Sequence, residues 1–235
     1  MSNAPSLHRI GLLTEHPSEH GGRLGRHLHF DERSRDFPVL LDKGAVIQTR
    51  LWTRTLQAFK QGNLRTCTGQ GAIGVLCTEP YLRPGIRYSE ALIRQVYTKA
   101  SHHDTIVGAW PSKDTGSTVL AAMKALKFIG HTKGYRWCFC LEDVLKTLST
   151  TGPVELGLNW YEGFDRPDAH GLVKRQGDVR GGHALELLGV DAERKLVWAI
   201  NSWGPEWGLK GRLAISWKDL DYLLHENGEA ATVLI

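Results

Sequence analysis

The chain has 235 residues, 41% hydrophobic and 23% charged, with a formal net charge of +4 at pH 7. That length suits one large domain or two small ones with a real core, and the balanced composition excludes a disordered or fibrous protein. Arg and Lys are scattered rather than run together, so a nucleic-acid partner is not expected, and no apolar run approaches a membrane span.

The first stretch, Met1 to Gly22, carries no apolar segment of the secretory kind. The expectation is a cytoplasmic protein, or one delivered or virion-associated without a signal peptide. Residues 1–45 are rich in Gly, His, Arg and Ser and show little periodicity, which predicts an extended N-terminal arm lying against the main body. His27 and His29 alternate with Leu28 and Phe30, reading as a short surface strand rather than a metal pair.

After an apolar stretch from Val46 to Ala58 and a polar turn at Lys60 to Asn63, a helix is expected to begin near Cys67 and end before Pro80. Gly69, Gly71 and Gly74 each cost such a helix about 1 kcal/mol relative to Ala, so tertiary contact must compensate. Gly71 and Gly74 have the spacing that lets another backbone pack closely. Ser89 to Ala100 predicts an amphipathic helix capped by Ser89, with Leu92, Ile93, Val96 and Tyr97 on one face. A further helix starts around Thr115 to Ser117, buries Val119, Ala122, Met123 and Leu126, and stops at Gly130. Glu142 to Leu148 gives a short helix.

Past Pro153 the pattern changes to strands in PVELGLNW, GHALELLGVD, KLVWAINSW, GRLAISW and the tail ATVLI. Helices segregated from an antiparallel sheet define an α+β fold class. The expected organisation is the arm (1–45), a helical lobe carrying Cys67 (46–135) and a β-rich lobe carrying His183 and Asn201 (136–235), with a cleft between lobes. The four cysteines, Cys67, Cys77, Cys138 and Cys140, are expected as free thiols: Cys138 and Cys140 are too close for an unstrained bridge and form no zinc knuckle. No metal and no cofactor is expected.

A thiol is a nucleophile only as thiolate, and a helix N-terminus beside a protonated imidazole lowers its pKa. Cys67 meets the first condition by position. His183 would supply the second and act as general base and acid, while Asn201 would hold its ring in the productive tautomer. Gln61 stands six residues before Cys67 and can donate its side-chain NH₂ to an oxyanion. Gly181 and Gly182 leave room for substrate backbone beside His183, and Trp203 covers the Asn201–His183 bond.

These residues sit in tracts that resemble those of the papain-like cysteine peptidases, particularly compact bacterial and phage members: QGNLRTC (Gln61 to Cys67), GGHALELLGV (Gly181 to Val190) and NSWGPEWG (Asn201 to Gly208). The likeness covers roughly Ile47 to Ile235. It implies a helical left lobe, a barrel-like right lobe, and a cysteine peptidase acting on an extended peptide or protein substrate through an acyl-enzyme. DTGST, Asp114 to Thr118, is similar to the family's groove-lining segment, which implies substrate contact at Gly116 and Ser117.

Three departures stand out. Leu64 replaces the family's cysteine, Arg65 and Thr66 replace small residues before the nucleophile, and the usual long inhibitory pro-segment is not expected. Arg65 is expected to bias the site toward acidic groups or to obstruct it, and the arm to contact the cleft. Two other readings use the same residues: a cell-wall peptide hydrolase, transpeptidase or isopeptidase with the same Cys-His-Asn site, and a catalytically silent assembly protein.

Overall fold

The computed structural model describes residues 8–19, 21–83 and 85–235, so residues 1–7 and 20 of the expected arm lie outside the described residues. The elements in chain order are β1 (His8–Gly11), β2 (Arg26–Asp31), β3 (Arg50–Leu51), α1 (Cys67–Leu76), α2 (Glu90–His103), β4 (Ser117–Thr118), α3 (Val119–Phe128), β5 (Gly134–Cys138), α4 (Leu141–Thr150), β6 (Val154–Tyr161), β7 (Val179–Asp191), β8 (Leu196–Ile200), β9 (Arg212–Ser216), α5 (Trp217–His225) and β10 (Glu229–Leu234). The fold is α+β, with helices α1 to α3 on one side and a seven-stranded sheet on the other.

The large sheet runs β5-β10-β6-β7-β8-β9, with β3 also on β7, and every pairing in it is antiparallel. β6 and β7 are its middle, and β6 is buried along its whole length, although apolar Val154, Leu156, Leu158 and Trp160 alternate with Glu155, Gly157 and Asn159. One core packs Leu156, Trp160, Leu185, Val197 and Leu213 of the sheet against Val144 and Leu148 of α4 and Leu220 and Leu223 of α5. A second joins Ile73, Val96, Met123 and Leu126 of the helices. Trp137 of β5 and Val233 of β10 belong to that second core, so the boundary drawn between residues 135 and 136 passes through β5 and the tail of the chain returns to the helical side. Ser216 caps α5, accepting from the Asp219 N–H; the sequence pattern did not single out this helix.

Two expectations change. β2 is not a surface strand. It pairs with β1 on one side and, in parallel, with β4 on the other, and His27 and His29 are both under a tenth exposed. The glycines of α1 meet side chains rather than a backbone. A Cβ on Gly71 would lie 3.0 Å from Glu155 Oε1, and one on Gly74 would lie 2.6 Å from Glu186 Oε2. The helix therefore rests on two buried carboxyl groups, and Glu186 is held by Arg54 Nε at 2.9 Å. Gly74→Ala is expected to destabilise the protein by about 1–3 kcal/mol through overpacking, seen as a lower denaturant midpoint with an unchanged slope. An unchanged midpoint would mean that Glu186 yields at no cost.

Candidate active site

Cys67 is the first residue of α1, and Thr66 before it caps the helix with no side-chain bond. The N-terminal end of a helix carries partial positive charge that favours a thiolate. The sulfur is fully buried and lies against the backbone N–H of Ala184, the residue that follows His183 on β7. The two lobes therefore place the Cys67 sulfur against β7, the strand that carries His183. His183 Nε2 lies 2.7 Å from Asn201 Oδ1, and Asn201 Oδ1 also accepts from the Ser202 N–H at 2.7 Å. An oxygen acceptor fixes the proton on Nε2 and leaves Nδ1 as the basic nitrogen. That Nδ1 is buried and makes no hydrogen bond, and none joins it to the thiol. Trp203 and Trp160 enclose the imidazole at centroid distances of 5.2 Å and 4.8 Å. Trp160 is thus a wall of this site as well as core.

The site is closed. Residues 13–19 and 21–27 of the arm fill the cleft, and all five residues expected to line a groove line the arm instead. Ser117 N–H donates to Gly25 O at 2.9 Å, and Gly25 N–H donates to Gly182 O at 3.1 Å. Gly116 has φ +78 and its Cβ would fall 2.2 Å from Gly25 O; a Cβ on Gly181 would fall 3.1 Å from Thr14 O, and one on Gly182 2.1 Å from Arg26 O. Trp203 Nε1 donates to Arg23 O at 3.1 Å. Gln61 Nε2 donates to that same carbonyl at 3.1 Å and to Leu64 O at 2.6 Å. The side-chain amide expected to receive an oxyanion is therefore spent on the arm and on its own loop.

Several residues clasp the arm. Glu15 is buried and pairs with Arg65 at 3.0 Å and Arg23 at 3.1 Å, while its Oε1 accepts from the Leu24 N–H. Arg65, the departure beside the nucleophile, is partly exposed and does not block the cleft by itself; it holds the segment that does. Its own N–H donates to Asp114, which also accepts from the Tyr97 hydroxyl. Arg180 pairs with Asp165 at 2.8 Å and donates to His16 O, whereas the nearby Asp178 is exposed. The sequence carried no signal for Glu15 or Arg26, because neither stands in a motif.

Burial sets the protonation of the closed form. Desolvation pushes the Cys67 thiol up to about 12, against the opposing pull of the Ala184 N–H. Desolvation also pushes His183 down to about 4, opposed by its bond to Asn201 and aided by Arg180. With the arm in place the pair is neutral thiol and neutral imidazole. All four cysteines are free thiols. Among the described residues no group of His, Cys, Asp and Glu could hold a metal ion, and no helix is long and apolar enough to cross a membrane.

The two-lobe α+β fold is that of solved papain-like cysteine peptidases. The chain superposes on xylellain, a cysteine protease from Xylella fastidiosa, with a TM-score of 0.70 at 16% identity, covering 94% of this chain and 98% of that one. It superposes on procathepsin B S9 from Trypanosoma congolense with a TM-score of 0.63 at 14% identity, covering 89% and 86%. In sequence, it is 35% identical over 75 residues to cathepsin B-like CP3 of Giardia intestinalis, 31% of this chain and 25% of that protein. It is 36% identical over 73 residues to cathepsin B-like cysteine proteinase 6 of Caenorhabditis elegans, 30% and 19% of the two chains. The matches thus span a quarter or less of those relatives' length. No family model matches the chain. The chain thus shares its fold with solved cysteine proteases, and about a third of it is similar in sequence to cathepsin B-like proteinases.

Proposed function

We propose that the chain is a cysteine peptidase held latent by its own N-terminal arm. The observation that carries this reading is the burial of Cys67 at the head of α1 against the strand that carries the Asn201-bonded His183. Once the arm leaves, water reaches the pair, and desolvation no longer opposes transfer of the thiol proton to Nδ1. The Cys67 thiolate adds to a peptide carbonyl, forming a C–S bond and an oxyanion. Gln61 Nε2, freed from Arg23 O, and the Cys67 backbone N–H receive that oxyanion. Its collapse breaks the C–N bond as His183 delivers the proton to the leaving amine. His183 then takes a proton from water, which adds to the thioester and releases the acid and the thiol.

The arm blocks this chemistry by polarity as well as by position. A substrate places its leaving-amine half over His183 and Trp203 and its acyl half, which is N-terminal, toward Ser117. The arm runs the other way. Gly22 packs on the Trp203 indole and Arg23 O meets Trp203 Nε1, whereas Arg26, later in the chain, pairs with Ser117.

The test is covalent labelling of the full chain with an epoxide probe for thiol peptidases, read by peptide mass spectrometry. Labelling at Cys67, enhanced when Glu15→Ala loosens the arm and absent in Cys67→Ala, is the expected result. Labelling carried instead by Cys77, Cys138 or Cys140 would remove Cys67 as the nucleophile. Asn201→Ala is expected to lower kcat by roughly tenfold or more, about 1.4 kcal/mol, with a smaller change in KM. Unchanged kcat would mean that the surrounding tryptophans alone orient the ring.

A further inference from the structure

Beyond the far end of α3 lies a cavity of about 630 Å³ that the reaction above does not use. The helix starts beside Ser117, in the groove that the arm fills, and reaches Phe128 ten residues on. At 1.5 Å per residue the cavity is therefore about 15 Å from that groove. Lys124, Lys127, Lys133 and Arg136 line it, and among the described residues no acidic side chain does. Arg136 Nε is buried and has no hydrogen-bond partner. Phe128 and Leu234 add apolar surface at 64% and 39% exposure, and Lys99 Nζ sits 3.5 Å from the Phe128 ring centre. Four cations around one cavity, with a fifth at its rim, set up a positive potential that favours an anionic occupant.

The cavity also follows an open strand edge. β5 is the outer strand of the large sheet and pairs with β10 on one side. On its other side residues 37–39 run parallel to it for a short distance. Trp137 N–H donates to Phe37 O at 2.9 Å, and Val39 N–H donates to Trp137 O at 2.9 Å. Both backbone groups of Trp137 thus face outward, and alternation along the strand turns those of Tyr135 the same way. The covering segment has left the edge by then, because the Phe37 N–H donates to Ser34 O at 3.0 Å instead. Side chains of successive strand residues leave on opposite faces, yet Tyr135 and Arg136 both line the cavity. The cavity therefore lies along the edge itself. An open edge accepts a further strand, and lysines beside it repel a second copy of the same edge while admitting a strand of opposite charge.

We propose that this edge is a docking site for an extended acidic segment of a partner protein, which adds a short strand beside Tyr135 and sets its carboxylates against Lys124, Lys127, Lys133 and Arg136. The segment's backbone exchanges hydrogen bonds with the Tyr135 N–H and C=O. A carboxylate meets Arg136 Nε in a charge-assisted bond, and an apolar side chain between acidic ones packs on Phe128 and Leu234. Docking here leaves the arm in the cleft, so the site does not depend on the peptidase reading.

The experiment uses the full chain carrying Cys67→Ala, so that no probe is consumed. Fluorescein-labelled Glu-Val-Glu-Phe-Glu-amide is titrated with it and followed by fluorescence anisotropy. Saturable binding is expected, on the order of tenfold or more tighter than for the Lys-Val-Lys-Phe-Lys counterpart and weakening as salt screens the exposed charges. Adding Lys124→Glu/Lys127→Glu is expected to weaken it by about tenfold or more. A strand bonds through one edge only, so N-methylating one alternate set of peptide nitrogens should weaken binding about tenfold, while methylating the other set leaves it within about a few-fold. Equal binding of the acidic and basic peptides, equal binding of the two methylated peptides, or binding untouched by the lysine substitutions overturns the proposal. Self-association of the chain that the acidic peptide reverses, seen by analytical ultracentrifugation, would give the edge to a second copy and overturn it too. Should the charge-reversed chain fail to fold, the two methylated peptides decide the matter on the unaltered cavity.

Discussion

Glu15→Ala combined with Arg26→Ala is expected to raise the kcat/KM of the full chain on an unstructured peptide by about 100-fold or more. Both side chains are buried in ion pairs that tie the arm to the body, Glu15 to Arg65 and Arg26 to Glu229. Removing one partner of a buried pair costs about 3–5 kcal/mol, because the other is left uncompensated. That cost falls on the closed form alone, since the opened form rehydrates both groups. A shift of this size takes a site that is 1% open to mostly open. Kinetics with Cys67→Ala in the same background give the baseline, and no rise over the parent chain would mean that the arm does not control access.

Acid should act in the same direction. His27 Nδ1 accepts from the Leu13 N–H at 2.9 Å, so Nε2 carries the proton donated to Thr115 O at 2.8 Å. Burial holds His27 below its usual 6.5, opposed by the Thr115 carbonyl and aided by Arg65 and Arg26. A base whose pKa is lowered in the closed state stabilises that state above 6.5 and ceases to do so as pH falls below it, because protonation destroys the Leu13 acceptor and adds charge beside two arginines. The activity of the parent chain is therefore expected to rise as pH drops from 7 toward 5, and His27→Gln should flatten that rise. An equal rise in His27→Gln would assign the effect to other groups.

His183→Ala is expected to reduce turnover on the order of 10⁴- to 10⁶-fold in the arm-opened background, because one ring serves as base, as counter-ion and as acid toward the leaving amine. Alkylation of Cys67 in that background should also slow at neutral pH, since the thiol loses the partner that draws off its proton. Retained turnover in His183→Ala would show that proton transfer runs through another group. The double variant His183→Ala/Asn201→Ala should be no worse than His183→Ala alone, because Asn201 acts only through the ring.

The helices α1 to α3 and the strands β6 to β10 were legible because their periodicity is dictated by two cores that each element faces continuously. The Cys67, His183 and Asn201 positions were legible because each sits in a tract whose neighbours are constrained by the same geometry: a helix head, a strand lined by glycines, and a tryptophan lid. The occupancy of the cleft was legible only as a general contact of the arm. Nothing in HPSEHGGRLGRHLHF signals which residue goes where, since an extended segment derives its register from the groove it enters. The burial of His27 and His29 was hidden for the same reason, because alternation shows two faces and not what covers them. The carboxyl groups under Gly71 and Gly74 were also invisible, because helical glycines report only that something approaches. Arg65 looked like an anomaly beside the nucleophile until Glu15 supplied its partner.

The backward threading of residues 22–27 has a practical corollary. A free peptide copying that segment presents no carbonyl in a cleavable orientation, so it should occupy the cleft without being consumed and compete with substrates stoichiometrically. Side chains grafted onto such a template, with the arginine kept as anchor, would yield reversible inhibitors that need no reactive warhead.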